Sequence, residues 1–197
     1  MTQTTVMVRK AAMRDIPNVL SLINSYAAKG IMLPRTEFEM SENIRDFSVA
    51  YDGVRMVGCG ALHFYSPTAA EVRSLAVLPE LKQQGVGRAV VEALEREAQE
   101  NELDAIFAFT YAPQFFEKLG FSEVERGELP LKAWKDCLRC PKFQSCDEIA
   151  VLKRLKSSEN QHINRAQPAP FDELIQLPNV ARATFVERDF HRNSPTY

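Results

Sequence analysis

Val72-Arg73-Ser74-Leu75-Ala76-Val77-Leu78-Pro79-Glu80-Leu81-Lys82-Gln83-Gln84-Gly85-Val86-Gly87-Arg88-Ala89 is the stretch whose reading decides the fold. Its first part reads as a strand stopped by Pro79, which cannot donate to a ladder. A short loop follows, and residues 88–99 read as a helix. Gly85 and Gly87 remove side chains where an anion could approach the backbone. The first amides of the helix lack intrahelical partners and point outward, a ready anion site. No Gly-Lys-Ser/Thr follows, so this is not a nucleotide P-loop. Val90 stands where a dinucleotide fingerprint wants a third glycine, and no early strand–loop–helix opens the chain as a Rossmann unit would.

The rest of the chain supplies the context that a lone Gly-x-Gly lacks. Residues 6–10 read as a strand. Asp15 and Pro17 mark a helix start, and Ile16, Val19, Leu20, Leu22 and Ile23 form its apolar stripe up to Gly30. A loop over 31–35 leads to a short helix over 36–45. Strands over 47–51 and 54–65 meet at Asp52-Gly53, a hairpin signal. Residues 70–78 form the next strand. After the helix at 88–101 come a buried strand (105–109) and a short helix (113–119) closed by Gly120. The last two strands lie at 121–125 and 148–155.

This order, with Ala76-Val77-Leu78-Pro79 running into Lys82-Gln83-Gln84-Gly85-Val86-Gly87, resembles the GNAT N-acetyltransferases over residues 6–156. The resemblance implies an α/β fold: a mixed, mostly antiparallel twisted sheet flanked by helices. It also implies a cleft where the strand at 70–78 splays from the strand at 105–109. Acetyl-CoA would be the co-substrate, its pantetheine arm against Leu75, Ala76 and Val77. Its pyrophosphate would lie against Gln83, Gln84, Gly85, Val86, Gly87 and Arg88. Lys82 would offer a charge to a phosphate, although a solvated surface lysine is the alternative.

An alkylammonium nucleophile must lose a proton before it attacks a thioester. Glu71 opens the strand that leads to the cofactor and is the candidate base. Strand alternation is expected to put Glu71, Arg73, Leu75 and Val77 on one face; a Glu71–Arg73 pair that only decorates the strand end is the alternative. The family's proton-donating tyrosine is replaced in Phe115-Phe116-Glu117-Lys118-Leu119-Gly120-Phe121 by Phe116. Tyr111 is the candidate substitute, or else a packed aromatic; water can also supply the proton.

Ile31-Met32-Leu33-Pro34-Arg35, Cys59-Gly60-Ala61-Leu62, Glu71-Val72-Arg73-Ser74-Leu75-Ala76-Val77 and Leu129-Pro130-Leu131-Lys132-Ala133-Trp134-Lys135-Asp136-Cys137 narrow the resemblance. They are similar to the acetyltransferase domain of N-acetylglutamate synthases, most of all the stand-alone short forms. That implies acetyl transfer to the α-amine of glutamate, the first step of arginine biosynthesis. Two carboxylates on the acceptor want cationic partners, and Arg35 and Arg73 are the candidates. The two-domain bacterial enzymes carry Thr-Arg-Ser after the strand at 105–109. Here the matching residue is Tyr111, which leaves glutamine or another amino acid open as acceptor.

Cys137, Cys140 and Cys146 could hold zinc with a fourth ligand, yet the second Cys-x-x-Cys of a zinc ribbon is missing. Plain thiols are the favoured reading and a metal is not expected. A net charge of −2 gives no reason to expect nucleic acid or an anionic membrane as partner. The N-terminus lacks a basic region and an apolar core, so a cytoplasmic protein is expected. Residues 1–156 are read as the catalytic domain and 157–197 as an extension of unknown role. A homodimer is compatible with everything above. The rival functions are an enzyme for another small amine or a protein N-terminus, and a non-catalytic acyl-CoA sensor.

Overall fold

The computed structural model describes residues 6–129 and 140–155. Its seven strands are β1 Met7–Lys10, β2 Phe47–Tyr51, β3 Met56–Ser66, β4 Ala69–Val77, β5 Ala105–Thr110, β6 Ser122–Glu123 and β7 Ile149–Arg154. They form one sheet in the order β1-β2-β3-β4-β5-β7-β6. Only β4 and β5 run parallel; the other neighbours are antiparallel. The mixed sheet expected from sequence is therefore present. The strand expected over 121–125 is only the two-residue β6. The extension expected over 157–197 lies outside the described residues.

Among the described residues four α-helices cover the sheet: α1 Ile16–Ala27, α2 Glu37–Asn43, α3 Val86–Glu100 and α4 Pro113–Glu117. On one face, Val86, Val90, Val91, Leu94 and Ala98 of α3 pack with Val57, Leu62, Val72, Ile106 and Ala108. On the other, Val19, Leu22, Ile23 and Tyr26 of α1 and Met40 of α2 pack with Val49, Cys59, Ala61 and Ala76. Burial pushes the Cys59 thiol up to about 12, so it behaves as a small apolar core residue. Helix α2 starts with a capping box: Thr36 Oγ1 accepts from the Glu39 amide, and Thr36 N–H donates to Glu39 Oε2.

The approach of α3 to the sheet is set by missing side chains. A Cβ on Gly58 would sit 2.9 Å from Val86 Cγ1, and one on Gly60 2.9 Å from Val90 Cγ1. These contacts are closer than carbon atoms tolerate, so both glycines let the first turns of α3 lie directly on β3.

The feature that shapes the cleft is a bulge in β4. The register runs Ala61↔Arg73 and then Cys59↔Ala76, so Ser74 and Leu75 face the single residue Gly60. Ser74 adopts φ 54° there. Ala70 and Val72 point to the α3 face, and Leu75 and Val77 pack against that same cluster, whereas Ala76 joins the α1 face. The expectation that Glu71, Arg73, Leu75 and Val77 share one face is thus overturned. The extra residue reverses the alternation after Arg73. Glu71 and Arg73 stay on the face of α1, and Leu75 and Val77 turn towards α3.

A charged cluster fixes the start of α1. Asp15 is 2% exposed and takes both guanidinium nitrogens of Arg9, at 2.7 and 2.8 Å. It also accepts from the Ala12 amide at 2.7 Å and from Tyr51 Oη at 2.9 Å. The hydrogen bonds from Arg9, first of all, hold its carboxyl well below the usual carboxylate range. Its contribution to stability is complete at neutral pH. It declines as pH falls below about 4, where the unfolded chain takes up a proton that folded Asp15 still refuses. Asp15→Asn is expected to lower the unfolding free energy in urea at pH 7 by about 1–3 kcal/mol. The gap to wild type should narrow as pH falls towards 3; a gap that does not change with pH would show that ionised Asp15 is not its source.

Candidate functional site

Pairing between β4 and β5 is confined to Ala69↔Ala105, Ala70↔Ile106 and Glu71↔Phe107. Beyond Glu71 the two strands part. The opening is a cavity of about 2190 Å³ lined by Glu71 through Val77, by residues 81–85, and by Gly87, Arg88 and residues 109–112. Pockets for a single drug-sized ligand measure roughly 300–1,000 Å³. This one has room for a long cofactor and a second small molecule together.

One end of the cleft is the loop into α3. The helix begins at Val86 rather than at residue 88, because Gly85 at φ 89° and ψ −8° forms its N-cap. Gln83 is also left-handed, at φ 63°. The first intrahelical bond runs from Ala89 N–H to Gly85 O at 2.9 Å. The N–H groups of Val86, Gly87 and Arg88 precede it, at the positive end of a fifteen-residue helix dipole. Lys82 lies 5.0 Å from the centroid of the Tyr26 ring, a cation–π contact at the cleft wall. Arg88 reaches Glu92 at 3.4 Å and the Lys118 carbonyl at 3.4 Å, and is half exposed. Gln84 turns back to the Glu80 carbonyl. Lys82, Arg88 and the open amides at the start of α3 thus place positive charge along this wall of the cleft.

The other end holds the titratable groups. Glu71 is 4% exposed and accepts from Tyr65 Oη at 3.2 Å. Arg73 Nη2 lies 3.0 Å from His63 Nδ1 and 3.6 Å from Asp46 Oδ2. His63 Nδ1 is itself 2.6 Å from Asp46 Oδ2, too close for two lone pairs, so Nδ1 carries the proton and donates. Asp46 therefore anchors both His63 and Arg73. The expected substrate arginine lines the cleft but already has a protein counter-ion. His63 and Tyr65 lie on β3 and Asp46 just before β2, and the ladders β2–β3 and β3–β4 bring them to Glu71 and Arg73.

Helix α1 ties the two halves of the cleft. Asn24 makes a reciprocal pair with the backbone of Arg35: its Nδ2 donates to Arg35 O at 3.0 Å and its Oδ1 accepts Arg35 N–H at 2.9 Å. One turn-edge further, Tyr26 Oη donates to Val77 O at 2.6 Å. The expected role of the Val77 backbone in pairing with a cofactor arm is thus partly taken by a protein hydroxyl. Arg35 lines the cleft as expected. The stripe of α1 in the sequence carries Tyr26 as its next apolar position, but nothing local marks Asn24 or the hydroxyl as ties.

Beyond β5, Tyr111 is 45% exposed, and its hydroxyl donates to Asp147 Oδ1 at 2.8 Å. Burial first and that carboxylate second push the phenol up, so it keeps its proton at neutral pH. The proton is directed at Asp147, which counts against the expected role of Tyr111 as proton donor to a leaving group. Phe116 is buried against Phe121 and Phe115, and it has no proton to give. Cys140 and Cys146 are half-buried at the cleft wall. Cys137 lies outside the described residues, and among the described residues no group of three His, Cys, Asp or Glu side chains is placed to hold a metal. No helix among the described residues is long and apolar enough to cross a membrane.

Comparison with known proteins agrees with this geometry. Residues 43–123 match the family described as acetyltransferase (GNAT) domain. A Chlorobaculum tepidum protein described as an uncharacterized N-acetyltransferase is 41% identical over 148 residues, 75% of this chain and 96% of that protein. An amino-acid acetyltransferase of Mycobacterium tuberculosis is 35% identical over 121 residues, 60% of this chain and 69% of that protein. The N-acetylglutamate synthase of Neisseria gonorrhoeae, solved with coenzyme A and N-acetyl-glutamate, superposes with a TM-score of 0.70 at 25% identity. The match covers 78% of this chain and 36% of that one.

Asn24→Ala removes both hydrogen bonds to the Arg35 backbone. It is expected to cost about 1–3 kcal/mol of unfolding free energy. It should also speed hydrogen exchange of the Arg35 amide more than that of amides in β4. Unchanged exchange at Arg35 in the folded variant would mean that the loop is held by other contacts.

Proposed function

The chain belongs to the GNAT acetyltransferase family, and from that premise we propose that it transfers the acetyl group of acetyl-CoA to the α-amine of an amino acid, with L-glutamate as acceptor. One observation carries the reading: the β4–β5 ladder ends at Glu71, and the gap runs from that carboxylate to the amides at the start of α3. A cofactor with a phosphate end and a thioester end fits such a gap in one orientation. Its pyrophosphate meets the N–H groups of residues 86–88 with Lys82 and Arg88 beside them. Its acetyl end then lies towards Glu71. The unpaired edge of β4 gives the pantetheine amides hydrogen-bonding partners, in the manner of an added strand. The names of the relatives support an amino-acid acceptor, and the N. gonorrhoeae synthase supports glutamate.

The chemistry follows from that placement. Glu71 takes the ammonium proton, directly or through water, and leaves a neutral amine to attack the carbonyl carbon. The C–N bond forms as the C–S bond breaks. An N–H of the open β4 edge is suited to hold the oxyanion between these events. The thiolate of coenzyme A leaves and takes a proton from water, because Phe116 has none and Tyr111 donates to Asp147. Arg35, and Arg73 through what it shares with Asp46, give the acceptor side a positive lining that suits carboxylates and repels polyamines. That cationic lining is the reason to favour an acidic acceptor over a basic one. With glutamate as acceptor, the reaction would open arginine biosynthesis in the cytoplasm.

Turnover of acetyl-CoA with a panel of amino acids, followed by thiol release, tests the reading. Glutamate is expected to be the best acceptor, and better turnover of glutamine or a cationic amine would reject it. Absence of turnover with any amine, together with tight acetyl-CoA binding, would favour a sensor instead. Gly85→Glu places bulk, strain and negative charge in the phosphate loop. It should raise the acetyl-CoA KM at least about tenfold, roughly 1.4 kcal/mol. Glu71→Gln should lower kcat about 100-fold at neutral pH, and the deficit should shrink at high pH, where free amine is abundant. A wild-type kcat at neutral pH in that variant would remove Glu71 from the mechanism.

A further inference from the structure

An acidic acceptor carries two carboxylates, and one of them still needs a partner in this cleft. The position after β5 holds Tyr111 and offers no positive charge of its own. The fold brings one there from another segment. Thr110 pairs with Ile149 at the end of the β5–β7 ladder, so Tyr111 emerges beside the residues that precede β7. Arg126 holds that segment to the cleft wall, donating to the carbonyls of Cys146 and Glu148 on either side of Asp147. Lys142, from the same segment, places Nζ 3.2 Å from Tyr111 Oη and 5.0 Å from the centre of its ring. Lys142 and Tyr111 both line the cleft that also contains Arg35 and Glu71.

These two side chains already bind a carboxylate. Asp147 receives Tyr111 Oη at 2.8 Å on Oδ1, and Lys142 Nζ at 2.8 Å on Oδ2 and 3.2 Å on Oδ1. A phenol and an ammonium converging on one carboxylate is the donor set that the side chain of an acidic amino acid needs. The resident is exchangeable. Lys142 and Asp147 are 46% and 56% exposed, and such pairs are worth little in water. The bonds to Asp147, then to Tyr111, keep the lysine charged well above its ordinary range, so a cation is present at any working pH.

We propose that Lys142, with the Tyr111 hydroxyl, is the recognition site for the side-chain carboxylate of an acidic acceptor, and that Asp147 is the internal carboxylate which the acceptor displaces. This rests on the acidic-amino-acid reading above and names the residue that sets its preference. Lys142 and Tyr111 then distinguish glutamate from glutamine, while Arg35 serves the carboxylate beside the reacting amine. Asp147 keeps the lysine in place between turnovers and competes with the acceptor for it.

Initial rates of the full chain with glutamate and with glutamine, for wild type, Lys142→Met, Lys142→Arg and Asp147→Asn, test this. Lys142→Met should raise the glutamate KM about tenfold or more, leave the acetyl-CoA KM near wild type, and abolish the preference for glutamate over glutamine. Lys142→Arg should restore most of that preference. Asp147→Asn should lower the glutamate KM severalfold, because the competing carboxylate is gone. The proposal is overturned if Lys142→Met leaves the glutamate KM unchanged or raises both KM values equally. It is also overturned if Asp147→Asn raises the glutamate KM. Wild-type protein that prefers glutamate while Lys142→Met keeps that preference rejects the lysine alone. Wild-type protein that does not use glutamate rejects the acceptor reading and this inference together.

Discussion

The parallel ladder between β4 and β5 stops after three residue pairs, and most of the molecule is arranged around that interruption. Two neighbouring strands that part inside a protein leave backbone N–H and C=O groups without sheet partners, which costs free energy unless something else meets them. Here the Tyr26 hydroxyl meets one, at Val77 O, and a ligand is the natural partner of the rest. The bulge at Ser74 belongs to the same arrangement. It turns the second half of β4 so that Leu75 and Val77 lie over α3, while Glu71 and Arg73 remain on the opposite face. Glu71 and the residues that lead into α3 thereby belong to one strand and its exit but lie on different sides of the sheet.

Much of this was legible in the amino-acid sequence. Ala-Val-Leu-Pro followed by Gly-Val-Gly marked the turn into the helix, because Pro79 fixes its own φ and ends the strand while Gly85 adopts the positive φ that other residues resist. The hairpin at Asp52-Gly53, the stripe of α1 and the cap at Gly120 were legible for the same local reason. The reversal of faces at Ser74 was not. A bulge with a non-glycine residue at positive φ leaves no mark in the hydrophobic pattern, so counting by twos runs straight through it. Nor was the surrounding of the site readable. Asp46, His63, Asn24, Lys142 and Asp147 reach the cleft through pairings across the sheet and through loops, and their neighbours in sequence give no hint of their neighbours in space. Arg73 illustrates the limit: its side chain was expected to meet the acceptor or to pair with Glu71, and it shares Asp46 with His63.

Charge is distributed unevenly for a chain that is nearly neutral. Arg35, Arg73, Lys82, Arg88, Arg126 and Lys142 all line one cleft, against a net charge of −2 for the whole sequence. Several of these cations are tethered by carboxylates or carbonyls outside the reacting centre, such as Asp46, Glu92 and Asp147. Tethering lowers the entropy lost when an anion binds, because the side chains are already oriented. It also weakens each site by the strength of the tether. Selectivity among anions then depends on how readily each tether yields.

Helix α1 touches the loop at 31–35 and strand β4 through two side chains only two positions apart, Asn24 to Arg35 and Tyr26 to Val77. The loop at 31–35 is held through the backbone of Arg35, on Asn24, and through Met32, which packs against the α1 core. The exposed residues of that loop, Ile31 and Pro34, can therefore change while the frame that seats it stays constant. A designer could graft foreign loops at the same place. The spacing of Asn24 and Tyr26 on the helix acts as the ruler that new sequences must respect, and the cofactor half of the enzyme need not change with them.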